Sequence, residues 1–294
     1  MSFFQDSTVQ DLVQSSIEKV DSLEESEQRK LLKIFRKVRQ ELQDRLLAIP
    51  PGTFTEQQMN VTLIQVDAAI RAINRDLKRG MVDSSEIMAT VGISHLVKEI
   101  TKWSKHFEGS VTPLNFEAIL GVIDSKTFLV NKYEASIDAY SSALRAQITS
   151  NIAQSMIMRD TQDRTVSRLV SDVGRYFMGE EWKLNRIVRT EMHQVYNYSK
   201  MKGMIKVQEN TIPDLKKSLM HPMDMRTGED SKALSKDNPV VDIDQPFVFT
   251  WNGKKRVFQF PPDRPNDRSI LVPYRESWNK RSAGFLPGGR LRVY

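Results

Sequence analysis

The stretch Pro246-Phe247-Val248-Phe249-Thr250-Trp251-Asn252-Gly253-Lys254-Lys255-Arg256-Val257-Phe258-Gln259-Phe260 decides the fold class. Its Asn-Gly pair is the preferred centre of a two-residue type I′ hairpin, because both turn positions take positive φ. Alternation puts Phe247, Phe249 and Trp251 on one face, and the register decides whether Val257 or Phe258 joins them. A short strand at Ser269 to Val272 is expected to extend this sheet. Upstream of the hairpin the character changes. Of 12 prolines, only Pro50, Pro51 and Pro113 precede residue 210. A proline costs about 3 kcal/mol inside a helix, so long helices belong to the first two thirds and loops with short strands to the rest. The expected fold is α+β and predominantly α: a long-helix N-terminal region, then a small mixed domain with an antiparallel β-hairpin. The boundary falls near Asn210 to Pro213.

Within the helical part, Leu31, Phe35, Val38, Leu42 and Leu46 recur every three or four residues, and Pro50-Pro51-Gly52 ends that helix. Thr55 caps the next, along which Met59, Leu63, Val66, Ile70, Ile73 and Leu77 form a one-sided apolar seam. Its expected partner is the preceding helix folded back as a hairpin, with an intermolecular coiled coil as the alternative. Gly80 is expected to break the run, and Asp83-Ser84-Ser85-Glu86 to open a new helix ending around Gly109. A further helix carries Phe128, Tyr133, Ile137, Tyr140, Leu144 and Ile148 as core. Separate helices are expected at Thr165 to Phe177 and from Trp182 to about Val207. The segments are therefore 1–112 (helical hairpin or coiled-coil-like), 113–210 (helical), 211–275 (small, β-containing) and 276–294 (an extended basic tail).

The chain has 294 residues and no cysteine, which excludes disulfides, thiolate metal sites and cysteine nucleophiles. With four histidines (His95, His106, His193 and His221), a metal would rest mainly on carboxylates. Mean hydropathy is −0.44. No apolar stretch approaches the roughly 20 residues of a membrane span, and a signal peptide is not expected. The net charge of +6 leans toward an anionic neighbour. The basic residues are spread along the chain, with no block that reads as a nucleic-acid arm.

Three polar islands stand out. Arg189-Thr190-Glu191, with Asn197 later on the same helix, comes first; there Thr190, His193 and Asn197 share one face, and Glu191, Val195 and Tyr198 another. An Arg–Glu pair there is either an acid/base group or a structural ion pair, and the structural reading is favoured. Asp224-Met225-Arg226-Thr227, with Asp230, is the second. Asp224 suits a turn and Arg226 a carboxylate clamp. The third, Pro261-Pro262-Asp263-Arg264-Pro265-Asn266-Asp267-Arg268-Ser269, is a rigid turn ending in a basic side chain.

In this order, with Tyr196-Asn197, Ala233-Leu234, the Asn-Gly hairpin and Val272-Pro273, the islands resemble the phage minor head protein family, the head morphogenesis proteins typified by the Mu-F-like minor capsid protein. The resemblance covers roughly residues 150–275 and makes 211–275 a head-morphogenesis domain. It implies a virion protein that lines the head near the portal vertex, contacts portal or major capsid protein, and possesses no catalytic residue or cofactor. Packaged double-stranded DNA is an implied non-specific partner, with Arg290 and Arg292 of the tail available to it. Family members carry Cys and His in the second and third islands in a metal-site pattern. The corresponding positions here are Gly228, Ser231, Arg264, Asp267 and Ser269, so no metal is expected, and His221 nearby has no partner evident from the sequence. The islands are instead expected to be held by ion pairs and turns, with Arg189 and Glu191 facing Asp224, Arg226, Asp267 and Arg268. The alternatives are a DNA-binding protein ejected with the genome, a magnesium nuclease using Asp224, Asp230 and His221, or a toxin-like enzyme, for which the C-terminal part offers no transferase trio.

Overall fold

The structure, a computed structural model, describes residues 2–48, 56–121, 138–139, 142–143, 145–150, 154, 162–222, 224, 227–237 and 239–279. The fold is α+β and predominantly helical. Helix α1 runs Ser7–Leu47, α2 Glu56–Trp103, α3 Phe116–Leu120, α4 Gln162–Asn210 and α5 Glu229–Asp237. Strands are β1 Lys216–Met220, β2 Val240–Asp242, β3 Phe247–Trp251, β4 Lys254–Phe258 and β5 Ile270–Tyr274. The chain forms two compact units, neither of them one stretch of sequence. The first comprises Met1–Glu24, Ser85–Ser125 and Thr190–Tyr294; the second comprises Glu25–Ser84 and Lys126–Arg189. Segments 1–112 and 113–210 thus each contribute to both.

In the second unit, the α1 positions Leu31, Phe35 and Leu42 and the α2 positions Val66, Ile70 and Leu77 are all buried, so at these positions the seam closes within one chain; the side chains of Val38, Leu46, Met59, Leu63 and Ile73 lie outside those described. Gly80 does not break α2, contrary to expectation. A Cβ there would lie 2.8 Å from Leu31 Cδ2, so the missing side chain lets α1 approach. That packing offsets the helix penalty of about 1 kcal/mol for glycine. Ser84 is likewise no helix start. Its hydroxyl lies 2.8 Å from the Gly80 carbonyl and 2.6 Å from Glu27 Oε2, a carboxylate of α1. The two helices expected at Thr165 to Phe177 and Trp182 to Val207 are one, α4, because Gly179 between them remains helical. Of the Phe128 to Ile148 stripe, Ile148 is buried; Phe128, Tyr133, Ile137, Tyr140 and Leu144 lie outside the described residues.

In the first unit, α2 ends where Trp103 gives way to a wider turn and Gly109, at φ 72°, takes the left-handed cap. Phe3, Trp103, Phe107, Tyr274 and Trp278 form an aromatic cluster with ring centroids 5.1–6.5 Å apart. Trp278 is fully buried in a short 3-10 turn, Glu276–Asn279. The start of the expected tail is therefore core; residues 280–294 lie outside the described residues. The hairpin is as expected, with Asn252 and Gly253 both at positive φ. Phe247 faces Phe258 and Val248 faces Val257, so Phe258 joins the buried face and Val257 the exposed one. The strand after the third island does not extend this hairpin. It is β5, an edge strand of a separate antiparallel sheet of order β2-β1-β5. The reading missed β1, whose Lys217 side chain is buried. That ammonium reaches the Gln259 carbonyl and Oε1, each at 2.9 Å, and lies over the Phe247 ring, contacts that replace water for a basic strand residue.

Candidate functional site

The polar islands meet in the first unit, on the face of α4 that carries His193 and Asn197. Both side chains are fully buried. Asn197 Nδ2 donates to the His193 carbonyl one turn back at 3.0 Å and to the Ser269 carbonyl at 3.2 Å. Its Oδ1 accepts from Leu271 N–H at 2.7 Å. The Ser269 carbonyl and the Leu271 N–H are outward backbone groups at the start of edge strand β5, so Asn197 closes an edge that would otherwise bury unpaired polar atoms. Two residues on, the same outward position is Pro273, which has no N–H to satisfy.

His193 holds the same carbonyl from its other side, with Nε2 2.7 Å from Ser269 O and Nδ1 2.9 Å from Glu24 Oε1 of α1. A carbonyl and a carboxylate both accept, so the ring is held doubly protonated. Burial works against that charge. The Glu24 carboxylate, the Ser269 carbonyl and the Asp267 charge outweigh it, and the pKa of His193 is raised.

The proline turn is tied by one carboxylate. Asp267 accepts from Asp263 N–H at 3.2 Å, from Ser269 N–H at 3.1 Å and from the Ser269 hydroxyl. Burial opposes ionisation of Asp267, but the Ser269 donors prevail and its pKa is lowered. The Ser269 Oγ is also 2.5 Å from Nδ1 of His221, which gives His221 the partner the sequence did not reveal. Because the hydroxyl proton goes to Asp267, Nδ1 of His221 is the donor and Nε2 carries a lone pair. Burial lowers the pKa of His221 to about 4. The two histidines therefore stand in opposite charge states.

Arg268, at the end of the turn, donates to both oxygens of Asp21 on α1 and, at 2.7 Å, to Asp224. Asp224 also makes the expected turn, accepting from Thr227 N–H at 3.2 Å and Oγ1 at 3.1 Å. Arg256 of β4 and Arg264 alternate with Asp230 and Asp263 at 2.7–3.0 Å, a closed square of four charges. The same Arg264 reaches Ser231 Oγ at 2.7 Å. Ser231 and Arg264 thus meet directly. Among the described residues no group of three or more His, Asp or Glu side chains could hold a metal ion.

The structure brings together Asn197, Asp224, Thr227, Asp230, Asp267 and Arg268 of the expected set. Pro261 and Pro262 open the turn through a cis peptide bond, and Asn266 takes φ 63° within it. Thr190 and Glu191 are half-buried on α4, and Arg189 belongs to the second unit. Arg226 lies outside the described residues. The helix-side contacts to β5 come from His193 and Asn197, and α1 adds Asp21 and Glu24. Those two acids are some 170–250 residues away in sequence from their partners, and no local signal could have found them. A second buried pair joins Lys200 of α4 to both oxygens of Glu99 on α2 at 2.7 Å, with neither side chain exposed. Burial pushes the Glu99 carboxyl up and the Lys200 ammonium down, each opposed by the other's charge. Among the described residues, His193, Asp224, Asp230, Asp267 and Arg268 each face a fixed partner inside the protein, an arrangement suited to bracing loops against a helix. Comparison with protein families, with curated proteins and with solved structures finds no match.

Proposed function

We propose that this chain is a structural minor head protein of a tailed bacteriophage, associated with the portal and acting in head morphogenesis. The observation that carries the reading is the ordered set of three islands, Arg189 to Asn197, Asp224 to Asp230 and Pro261 to Arg268, which resembles that family. The bracing of the second and third islands against α4 and α1 supports a scaffold role, since Asp224, Asp230, Asp263, Arg264 and Arg268 are tied up in ion pairs. Its partners in this reading are the portal protein, the major capsid protein and packaged double-stranded DNA, and its place is the virion near the portal vertex. Mass spectrometry of purified particles is expected to find the chain at low copy, and a portal pull-down to retain it. Particles that lack the chain overturn the reading. The net charge of +6 favours, as the second reading, a DNA-binding protein ejected with the genome. That reading requires the chain to leave the particle with the DNA, whereas a portal-bound scaffold stays behind.

A further inference from the structure

We propose that the basic face of α1 in the second unit binds the phosphate backbone of duplex DNA. Between Arg29 and Arg39 the helix carries six cations and no acid. Lys33 lies four residues after Arg29, and Arg36 and Lys37 lie three and four residues after Lys33, which puts them on one face. Together with Arg39 and Gln40 they line an open groove of about 550 Å³ with no carboxylate in its wall.

The nearest acids neutralise only part of this charge. Glu181 accepts two bonds from Arg36, at 3.0 and 2.8 Å, and lies 4.0 Å from Arg39; Glu41 is 3.7 Å from Lys37. Arg29 bonds to the Glu25 backbone carbonyl, which leaves its charge unbalanced. Lys33 has no ion-pair partner among the described residues. Arg39 Nε is buried without a hydrogen-bond partner there. Five cations against two carboxylates leave an excess of three.

The span of the cations selects the ligand. Ten residues at about 1.5 Å each cover about 15 Å, too long for one small anion. A duplex strand offers a phosphate about every 3.4 Å along its axis, so four or five phosphates match that length. No aromatic side chain lines the groove, so it offers backbone contacts without base stacking or base readout. The choice of duplex DNA among polyanions rests on the virion reading above.

The test is fluorescence anisotropy of the full chain with a labelled mixed-sequence duplex of about 20 base pairs across a salt series. With about three phosphates neutralised, the logarithm of affinity falls against log[salt] with a slope of about −3. Lys33→Ala with Lys37→Ala lowers that slope by about two and weakens binding, while the arginine pair Lys33→Arg with Lys37→Arg retains it. Lys254→Ala with Lys255→Ala removes the same charge from the exposed edge of the hairpin and leaves binding unchanged; circular dichroism melting checks that each variant is folded. A flat salt response, equal weakening by the hairpin variant, or displacement of the duplex by poly-glutamate at equal charge overturns the assignment. Particles that contain the chain while the duplex fails to bind refute this surface alone. Binding with no chain in particles refutes the virion reading alone.

Discussion

Asn197→Ala isolates the bond that fixes β5 to α4. The substitution removes three hydrogen bonds: to the His193 carbonyl, to the Ser269 carbonyl and from Leu271 N–H. The Ser269 carbonyl keeps His193 Nε2 as a donor, but the buried Leu271 N–H keeps nothing on that side. A buried amide left without a partner costs about 1–3 kcal/mol, and each neutral bond contributes about 1 kcal/mol net. The expected loss is therefore about 2–4 kcal/mol. Because the chain has two compact units, one global transition does not measure it. Native-state hydrogen exchange of the peptide spanning Arg268 to Tyr274 does, with protection expected to fall by about two orders of magnitude. Asn197→Asp sharpens the test: it retains the acceptor for Leu271 but presents an oxygen to two carbonyls. Its loss should match or exceed that of Asn197→Ala at neutral pH and shrink in acid, where the carboxyl can donate. A loss below about 0.5 kcal/mol in both variants, within the scatter of ordinary surface changes, refutes the edge-capping argument.

The opposed histidines give stability a maximum near pH 6.5. His193 has a raised pKa in the folded chain, so its contribution is complete below the unfolded value and lost as pH rises through the folded one. His221 titrates at about 4 when folded. Its contribution is present above the unfolded value and lost as pH falls from about 6.5 toward 4, an effect on the order of 3 kcal/mol. In urea melts from pH 4 to 9, His193→Gln should flatten the alkaline limb and His221→Gln the acid limb; unchanged limbs would remove the assignment of charge states. Two glycines of the long helices should respond oppositely to alanine. At Gly92 a Cβ would lie 2.1 Å from Ser199 Oγ and 2.7 Å from the Tyr196 carbonyl, whereas Gly179 has open space. Gly92→Ala should lower the melting temperature by several degrees, and Gly179→Ala should stabilise by about 0.5–1 kcal/mol. Equal responses in thermal melts would show that helix propensity alone decides both.

The sequence was informative where its signals are local. The Asn-Gly pair fixed the hairpin, since few residues accept two successive positive φ values. The proline distribution placed the boundary near Asn210 to Pro213, where α4 ends, and the apolar positions Val66, Ile70 and Leu77 gave the buried face of α2. The resemblance, likewise local in its motifs, drew attention to Asn197 and to Asp224 through Arg268. Readings failed where propensity met packing. Gly80 and Ser84 read as a helix break and a helix start, yet Leu31 and Glu27 from α1 make both suitable for a helix interior.

What the tertiary structure alone decided is which distant groups meet. β1 was illegible because Lys216 and Lys217 give no apolar alternation; Lys217 is buried only because Gln259 and Phe247 arrive from elsewhere. Nothing along the chain sets Asp21 and Glu24 apart; the fold sets them against Arg268 and His193. The cations from Arg29 to Arg39 look dispersed among apolar residues, and become a charged groove when α1 turns Leu31 and Phe35 inward. Helix and turn preferences act over a few bonds and can be read along the chain. Ion pairing and burial depend on distances through space, which the order of residues does not carry.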